Sequence, residues 1–282
     1  MQKIAAILDG LRFSESTLHY SIWIAKHQHA HLTGVFADDL TYNSFNLYQL
    51  LKAGTDQATI RQLEEADHEK REAAAGRFEA ACQAAGIAYS IHRNKNVSLL
   101  SALEESIYAD LLIVDAQETF VHDGATPPTR FIRDLLTDVQ CPVLIVPAQV
   151  LTPAVFGDIR NIVLLYDGEP SSVYAIKMYN YLLPSWQTLP TTVLSVNPEG
   201  NILENKHLIK DFIRRHFPKA VYKVMEGEPE EEIVSYMLGQ QEGTVIVLGA
   251  YRRGAISRWF RESMADVLMQ NLSFPLFIAH NK

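Results

Sequence analysis

The chain has 282 residues, 48% of them hydrophobic and 21% charged, with a net charge of −8. That length fits two domains of ordinary size, each with enough apolar side chains for its own core, and the composition excludes a disordered chain, a collagen and a coiled coil. No apolar run approaches the ~18 residues of a membrane span, so no membrane association is expected, and the acidic balance argues against nucleic acid as a partner. The N-terminus runs from Met1-Gln2-Lys3 into a short apolar stretch with no cleavage pattern, which predicts a cytoplasmic protein. Cys82 and Cys141 are too few for a disulfide framework or a metal knuckle and read as reduced core thiols.

In chain order, apolar runs predict strands near 3 to 9, 30 to 37, 87 to 92, 110 to 115 and 142 to 147, separated by helix-like stretches. Ser14 and Ser16 lie where they would cap the first helix. After the second strand, residues 42–55 form an insert carrying Tyr42, Phe45, Leu47, Tyr48, Leu50 and Leu51, read as packing on its own domain, with a groove cover or a subunit contact as the alternative. Asp56 to Ala85 reads as a long helix ended by Gly86. Residues 147–157, with Pro153 and Gly157, read as a linker.

Five further strands follow at 161 to 167, 190 to 197, 219 to 225, 243 to 249 and 274 to 279. The helix at 229 to 238 opens on Pro229 and three acids, Glu230, Glu231 and Glu232, and stops at Gly239. Ile256, Trp259, Phe260, Ser263, Met264, Val267 and Leu268 recur at helical spacing and predict one sheet-facing stripe.

The two series are copies of each other. Lys3 to Gly10 and Asn161 to Gly168 are both buried-strand patterns closed by Asp-Gly, at an offset of 158; the fourth strands correspond at an offset of 134 and the fifth at 133. The drop means that the first copy carries about two dozen residues that the second lacks, placed after strand two. Charge divides unevenly as well: through Val155 there are 12 Lys and Arg against 19 Asp and Glu, and from Phe156 onward 13 against 14.

Strands ending in Asp-Gly, a five-strand α/β unit of this size, Gly227-Glu228-Pro229 after the third strand of the second copy and Gly249-Ala250-Tyr251 after its fourth together resemble the universal stress protein family. The resemblance implies two tandem Rossmann-like α/β domains, 1–150 and 157–282. Each would be a five-stranded parallel sheet of order 3-2-1-4-5 with helices on both faces, the two paired through their fifth strands near 142–147 and 274–279. A further homodimer is left open. In one subclass the family holds ATP through G-2x-G-9x-G-[S/T] after strand four. The second copy keeps Gly249 and Ser263 in that pattern but has Arg252 and Glu262 where the other two glycines stand.

Those glycines let backbone N–H groups approach phosphate, and a carboxylate at Glu262 would repel it. The resemblance therefore gives, for the second copy only, Asp167, Val196, Gly227, Gly249, Arg252, Ser263 and Met264 as nucleotide contacts, with Arg253, Arg258 and Arg261 around the same loop and ATP as the ligand that such a site would take. In the first copy Asp115-Ala116-Gln117-Glu118 lacks the glycine and brings two acids, and Thr126-Pro127-Pro128 removes two N–H donors, so triphosphate binding is not expected there. Asp9 reads as a turn former.

Other constellations are weaker. His27, His29 and His31 alternate but read as a helix end and the start of a strand, so no metal site is expected. No G-x-S-x-G elbow or G-x-x-x-x-G-K-[S/T] loop exists, and no catalytic set is found. The expectation is a protein that acts in stress adaptation by binding and assembly, with nucleotide binding or weak hydrolysis by the second copy as the alternative.

Overall fold

The computed structural model describes residues 1–37, 42–94, 96–121, 126–148, 159–198, 200, 203, 205–249 and 263–280. The first series runs β1 (Lys3–Leu8), α1 (Glu15–Gln28), β2 (His31–Ala37), α2 (Leu47–Lys52), α3 (Gln57–Ala85), β3 (Tyr89–Asn94), α4 (Ser98–Tyr108), β4 (Leu111–Asp115), α5 (Arg130–Asp138) and β5 (Val143–Val146). The second runs β6 (Asn161–Leu165), α6 (Pro170–Leu182), β7 (Thr191–Asn197), α7 (Lys206–His216), β8 (Ala220–Glu226), α8 (Pro229–Leu238), β9 (Thr244–Gly249), α9 (Met264–Asn271) and β10 (Leu276–Ala279). All ten strands join in one sheet, ordered β3-β2-β1-β4-β5-β10-β9-β6-β7-β8. Each half is parallel with order 3-2-1-4-5, and the halves meet where β10 pairs antiparallel with β5, Phe277 opposite Leu144.

The period-2 side-chain alternation of a strand explains how one sheet carries two cores. Ile4, Ala6 and Leu8 of β1 join the cluster under α1, α3, α6 and α7, while Ala5 and Ile7 join the cluster under α4, α5, α8 and α9. Both clusters cross the junction: Leu144 and Phe277 enter the first, Val143 and Leu276 the second. Phe277 is fully buried edge-to-face against Tyr179, and a side chain of that size contributes roughly 2–3 kcal/mol on burial. Further contacts bridge the halves, with Trp23 against the buried Trp186 at 5.2 Å, Gln28 donating to Ser185 Oγ at 2.6 Å and Arg133 paired with Asp266 at 3.1 Å.

Local signals set the helix ends. Ser14 caps α1 by accepting the Thr17 N–H, Asp56 caps α3 by accepting that of Thr59, and Gly86 ends α3 in the left-handed region at φ 65°. The predicted helix 229–238 is α8 to the residue. Among the described residues no helix is long and apolar enough to cross a membrane.

Three sequence readings change. Ser263 is extended at φ −68°, ψ 121°, the residue before α9, so the stripe from Ile256 to Leu268 is not one continuous helix. Ser14 caps α1, whereas Ser16 is buried behind it and its hydroxyl finds no partner. In the insert only Tyr42 is buried; Leu47, Tyr48 and Leu51 stand in solvent along α2.

The candidate site: two strand-end crevices

In a sheet of order 3-2-1-4-5 the chain turns one way from strand one and the other way from strand four, leaving a crevice beyond their carboxyl ends where α/β proteins place ligands. This chain has two such crevices, beyond β1 and β4 and beyond β6 and β9.

The first is filled by its own side chains. Asp9 follows β1 and is buried; its Oδ1 accepts the Leu11 N–H at 2.7 Å and its Oδ2 accepts the Tyr42 hydroxyl at 2.6 Å. Arg12 reaches the same group, with Nε 3.8 Å from Asp9 Oδ2 and 3.3 Å from the Tyr42 oxygen, and its other arm donates to Thr119 Oγ1 at 2.9 Å. Burial, then the Asp9 charge, pushes the Tyr42 phenol well above its ordinary value, so the hydroxyl stays a donor.

Asp115 ends β4 and accepts from Ser14 Oγ at 2.6 Å and from the Gln117 N–H at 2.8 Å. Burial raises its carboxyl and these two bonds partly offset the rise. Glu118, 6% exposed, receives the N–H groups of Thr119 and Phe120 on one oxygen; burial first and then the Asp9 charge push its carboxyl up to about 8. Thr129, the residue before α5, donates to the Glu118 carbonyl and accepts the Ile132 N–H at 3.2 Å. These groups present carboxylates and committed donors where a phosphate would need free N–H groups.

The second crevice is sparser. Asp167 is half-exposed after β6, and its Oδ1 accepts the Glu169 N–H at 3.0 Å. Gly249 ends β9 under the first turn of α6: a Cβ there would lie 2.5 Å from the Ser171 carbonyl carbon and 2.8 Å from the Ser172 nitrogen. Close packing of helix on strand therefore requires this glycine whether or not phosphate approaches it. Ser263 precedes α9, and its side chain makes no capping bond.

The β6–β9 register, Leu164 opposite Val247, sets the Asp167 and Gly249 ends side by side. Val196 lies one strand further and is wholly buried in the core, as Met264 nearly is. Gly227 follows β8, two strands from β6, at φ 141°. Arg252, Arg253, Arg258, Arg261 and Glu262 lie outside the described residues.

Sequence reasoning missed Arg12 and Tyr42, which meet Asp9 only through tertiary folding, and Thr129. A signal for Thr129 existed, since it precedes Ser263 by 134 residues, the offset of the fourth strands. The histidines fall where expected. His27 is in the last turn of α1 against Trp23, His29 is its left-handed cap and His31 opens β2. Among the described residues no three His, Cys, Asp or Glu are placed to hold a metal ion.

No family model and no curated protein matches the sequence. Solved structures do. A universal stress protein from Archaeoglobus fulgidus DSM 4304 superposes with a TM-score of 0.69 at 11% identity, covering 99% of this chain and 96% of that one. A protein from Pseudomonas aeruginosa UCBPP-PA14, provisionally described as a universal stress protein, gives 0.59 at 15% identity over 99% and 93%. A functionally unknown protein from P. aeruginosa PAO1 gives 0.58 at 14% over 99% and 92%. At these identities the shared property is the fold.

Proposed function

We propose that the chain is a tandem universal stress protein, with domains at 1–150 and 157–282, that works in the cytoplasm by binding and assembly without chemical turnover. The observation that carries this reading is the first crevice, where Tyr42 donates to Asp9, Arg12 to Tyr42 and Ser14 to Asp115, and among the described residues no group is left poised as a nucleophile or as a base beside one. The fold likeness over 99% of the chain supports the family, and loss of two motif glycines in the second half supports binding without hydrolysis.

A second reading has its own support. The Ser263 side chain makes no capping bond at the start of α9, and Asp167 and Gly249 end adjacent strands, which supports a nucleotide crevice in the second half. Calorimetric titration of the full chain with Mg-ATP, beside a phosphate-release assay, tests both. Release of phosphate at a rate that Ser263→Glu abolishes overturns the first reading. Absence of heat from the wild-type chain overturns the second. Ser263→Glu is the variant of choice because any side chain at Gly249 strikes the α6 backbone and would confound binding with folding.

A further inference from the structure

The helix that follows the second strand is α3 in the first half and α7 in the second, and the two carry opposite charge. Both pack on the same side of the sheet but at its two ends, α3 through Phe78 on β2 and β3 and α7 through Ile209 and Ile213 on β7 and β8. From Lys206 to Lys223 six Lys and Arg stand against Asp211 alone, in a chain of net charge −8. From Glu64 to Glu72 five Asp and Glu stand against Lys70 and Arg71.

Neither excess is fully spent inside the chain. On α7, Lys206, Lys210 and Arg214 are exposed and recur one turn apart. Arg214 shares Asp211 with Arg215, and no carboxylate pairs with Lys206 or Lys210 among the described residues. On α3, Glu65, Glu69, Glu72, Gly76 and Glu79 alternate steps of four and three, the spacing that keeps one stripe of a helix, and all five are exposed. Arg93 holds Glu72, while Lys70, Arg71 and Arg77 of α3 are held by Asp67, the Tyr42 carbonyl and Glu15. Glu65 and Glu69 pair with no cation among the described residues.

Gly76 is an independent observation on the same stripe. A glycine inside a helix costs stability relative to alanine, and a Cβ at Gly76 would meet nothing within 4 Å, so packing within the chain does not require it. What it does allow is the close approach of another backbone from outside.

We propose that α7 of one chain docks on the outward stripe of α3 of a second copy, with Lys206, Lys210 and Arg214 against Glu65 and Glu69 and with Gly76 at the closest approach. The inference rests on the assembly part of the function proposed above. The two helices lie about seven strand spacings, or roughly 34 Å, apart, so a single chain cannot join them. A contact between unlike surfaces leaves an α3 and an α7 open at the ends, so association proceeds head to tail. Nucleic acid or an anionic membrane would meet the same lysines but also the acidic remainder of the chain, whereas a second copy brings its acids on a matching helix.

The test is sedimentation equilibrium of the full chain. In about 20 mM NaCl the mean mass should rise above that of one chain as concentration passes about 100 μM, and about 0.5 M NaCl should return it to one chain. Lys210→Glu with Arg214→Glu should weaken association at least about tenfold, as should Glu65→Lys with Glu69→Lys. Mixing these two variants should restore association, since each offers the charge that the other lacks although both remain net negative. Gly76→Gln should raise the melting temperature and weaken association about threefold.

A chain that stays single at low salt overturns the proposal. So does association that either double variant retains, a mixture that stays apart, or a Gly76→Gln chain that associates as before. Binding to phosphatidylserine vesicles or to single-stranded RNA that exceeds self-association and is lost in the α7 variant overturns it too, by giving α7 to those partners. None of these outcomes changes the phosphate-release result, so the inference and the reading without turnover fail separately.

Discussion

The two strand-end crevices began as one pattern and now hold opposite positions. In the first, the aspartate after β1 is buried and doubly bonded, the residue before α5 has both hydrogen-bonding directions of its hydroxyl engaged, and an insert residue, Tyr42, closes over them. In the second, the aspartate after β6 is half-exposed with one backbone bond, and the residue before α9 keeps its hydroxyl free. Hydrogen bonds made within the chain hold the first crevice together, whereas the second commits fewer of its polar groups.

The sharpest way to break this contrast is at the glycines. Gly249→Ala drives a Cβ into the Ser171 backbone at 2.5 Å and should cost about 3 kcal/mol or more, whereas at Gly10 the Cβ meets the Arg71 Cγ at 2.9 Å with the Arg71 Cα at 3.3 Å behind it, so Gly10→Ala should cost about 2 kcal/mol. Urea unfolding of the two variants measures both, and equal losses would mean that the seat of Gly249 under α6 is no tighter than that of Gly10 against α3.

Next is the pH dependence. A carboxyl raised from 4.5 to about 8 in the folded chain favours the protonated form, so its contribution is full below about pH 4.5 and is lost as pH rises through about 8. The stability of the wild type in urea unfolding should fall across that window by at most about 5 kcal/mol, and Glu118→Gln should flatten the fall. Persistence of the slope in the variant would place the titrating group elsewhere.

Tyr42→Phe leaves a buried carboxylate short of a donor and should cost about 2 kcal/mol by denaturant titration. The smallest contrast is the pair of hydroxyls before α5 and α9. Thr129→Ala should cost about 1 kcal/mol and Ser263→Ala under about 0.5 kcal/mol, and a reversal of that order would undo the division between the crevices.

Repetition made the fold legible. Two buried runs closed by Asp-Gly, repeated with their successors at near-constant offsets, dictate ten strands, and the order 3-2-1-4-5 of each half came with the resemblance those runs carry. Local chemistry was equally readable, as with Pro229 and its three acids at the start of α8. The crevices were only half legible. Asp115 and Glu118, three positions apart in sequence, read directly as a barrier to phosphate, but Tyr42 reaches Asp9 across 33 residues, and no pattern within the insert marks which of its apolar side chains turns inward. Gly249 shows the converse limit, since a glycine in a phosphate-loop pattern and a glycine beneath a helix look alike until the backbone of Ser171 is in view.

The junction of β5 and β10 governs how the molecule meets others. Because both strands belong to one chain, the encounter that joins them is intramolecular, with an effective concentration on the order of millimolar, so dilution in the cell cannot undo it. It also consumes the two edges on which such sheets would otherwise grow. What remains outermost is β3, with Arg93, and β8, with Lys223 and Glu226, where charge discourages an eleventh strand. One edge of each half is thus used up inside the molecule, and the two edges that remain carry charge.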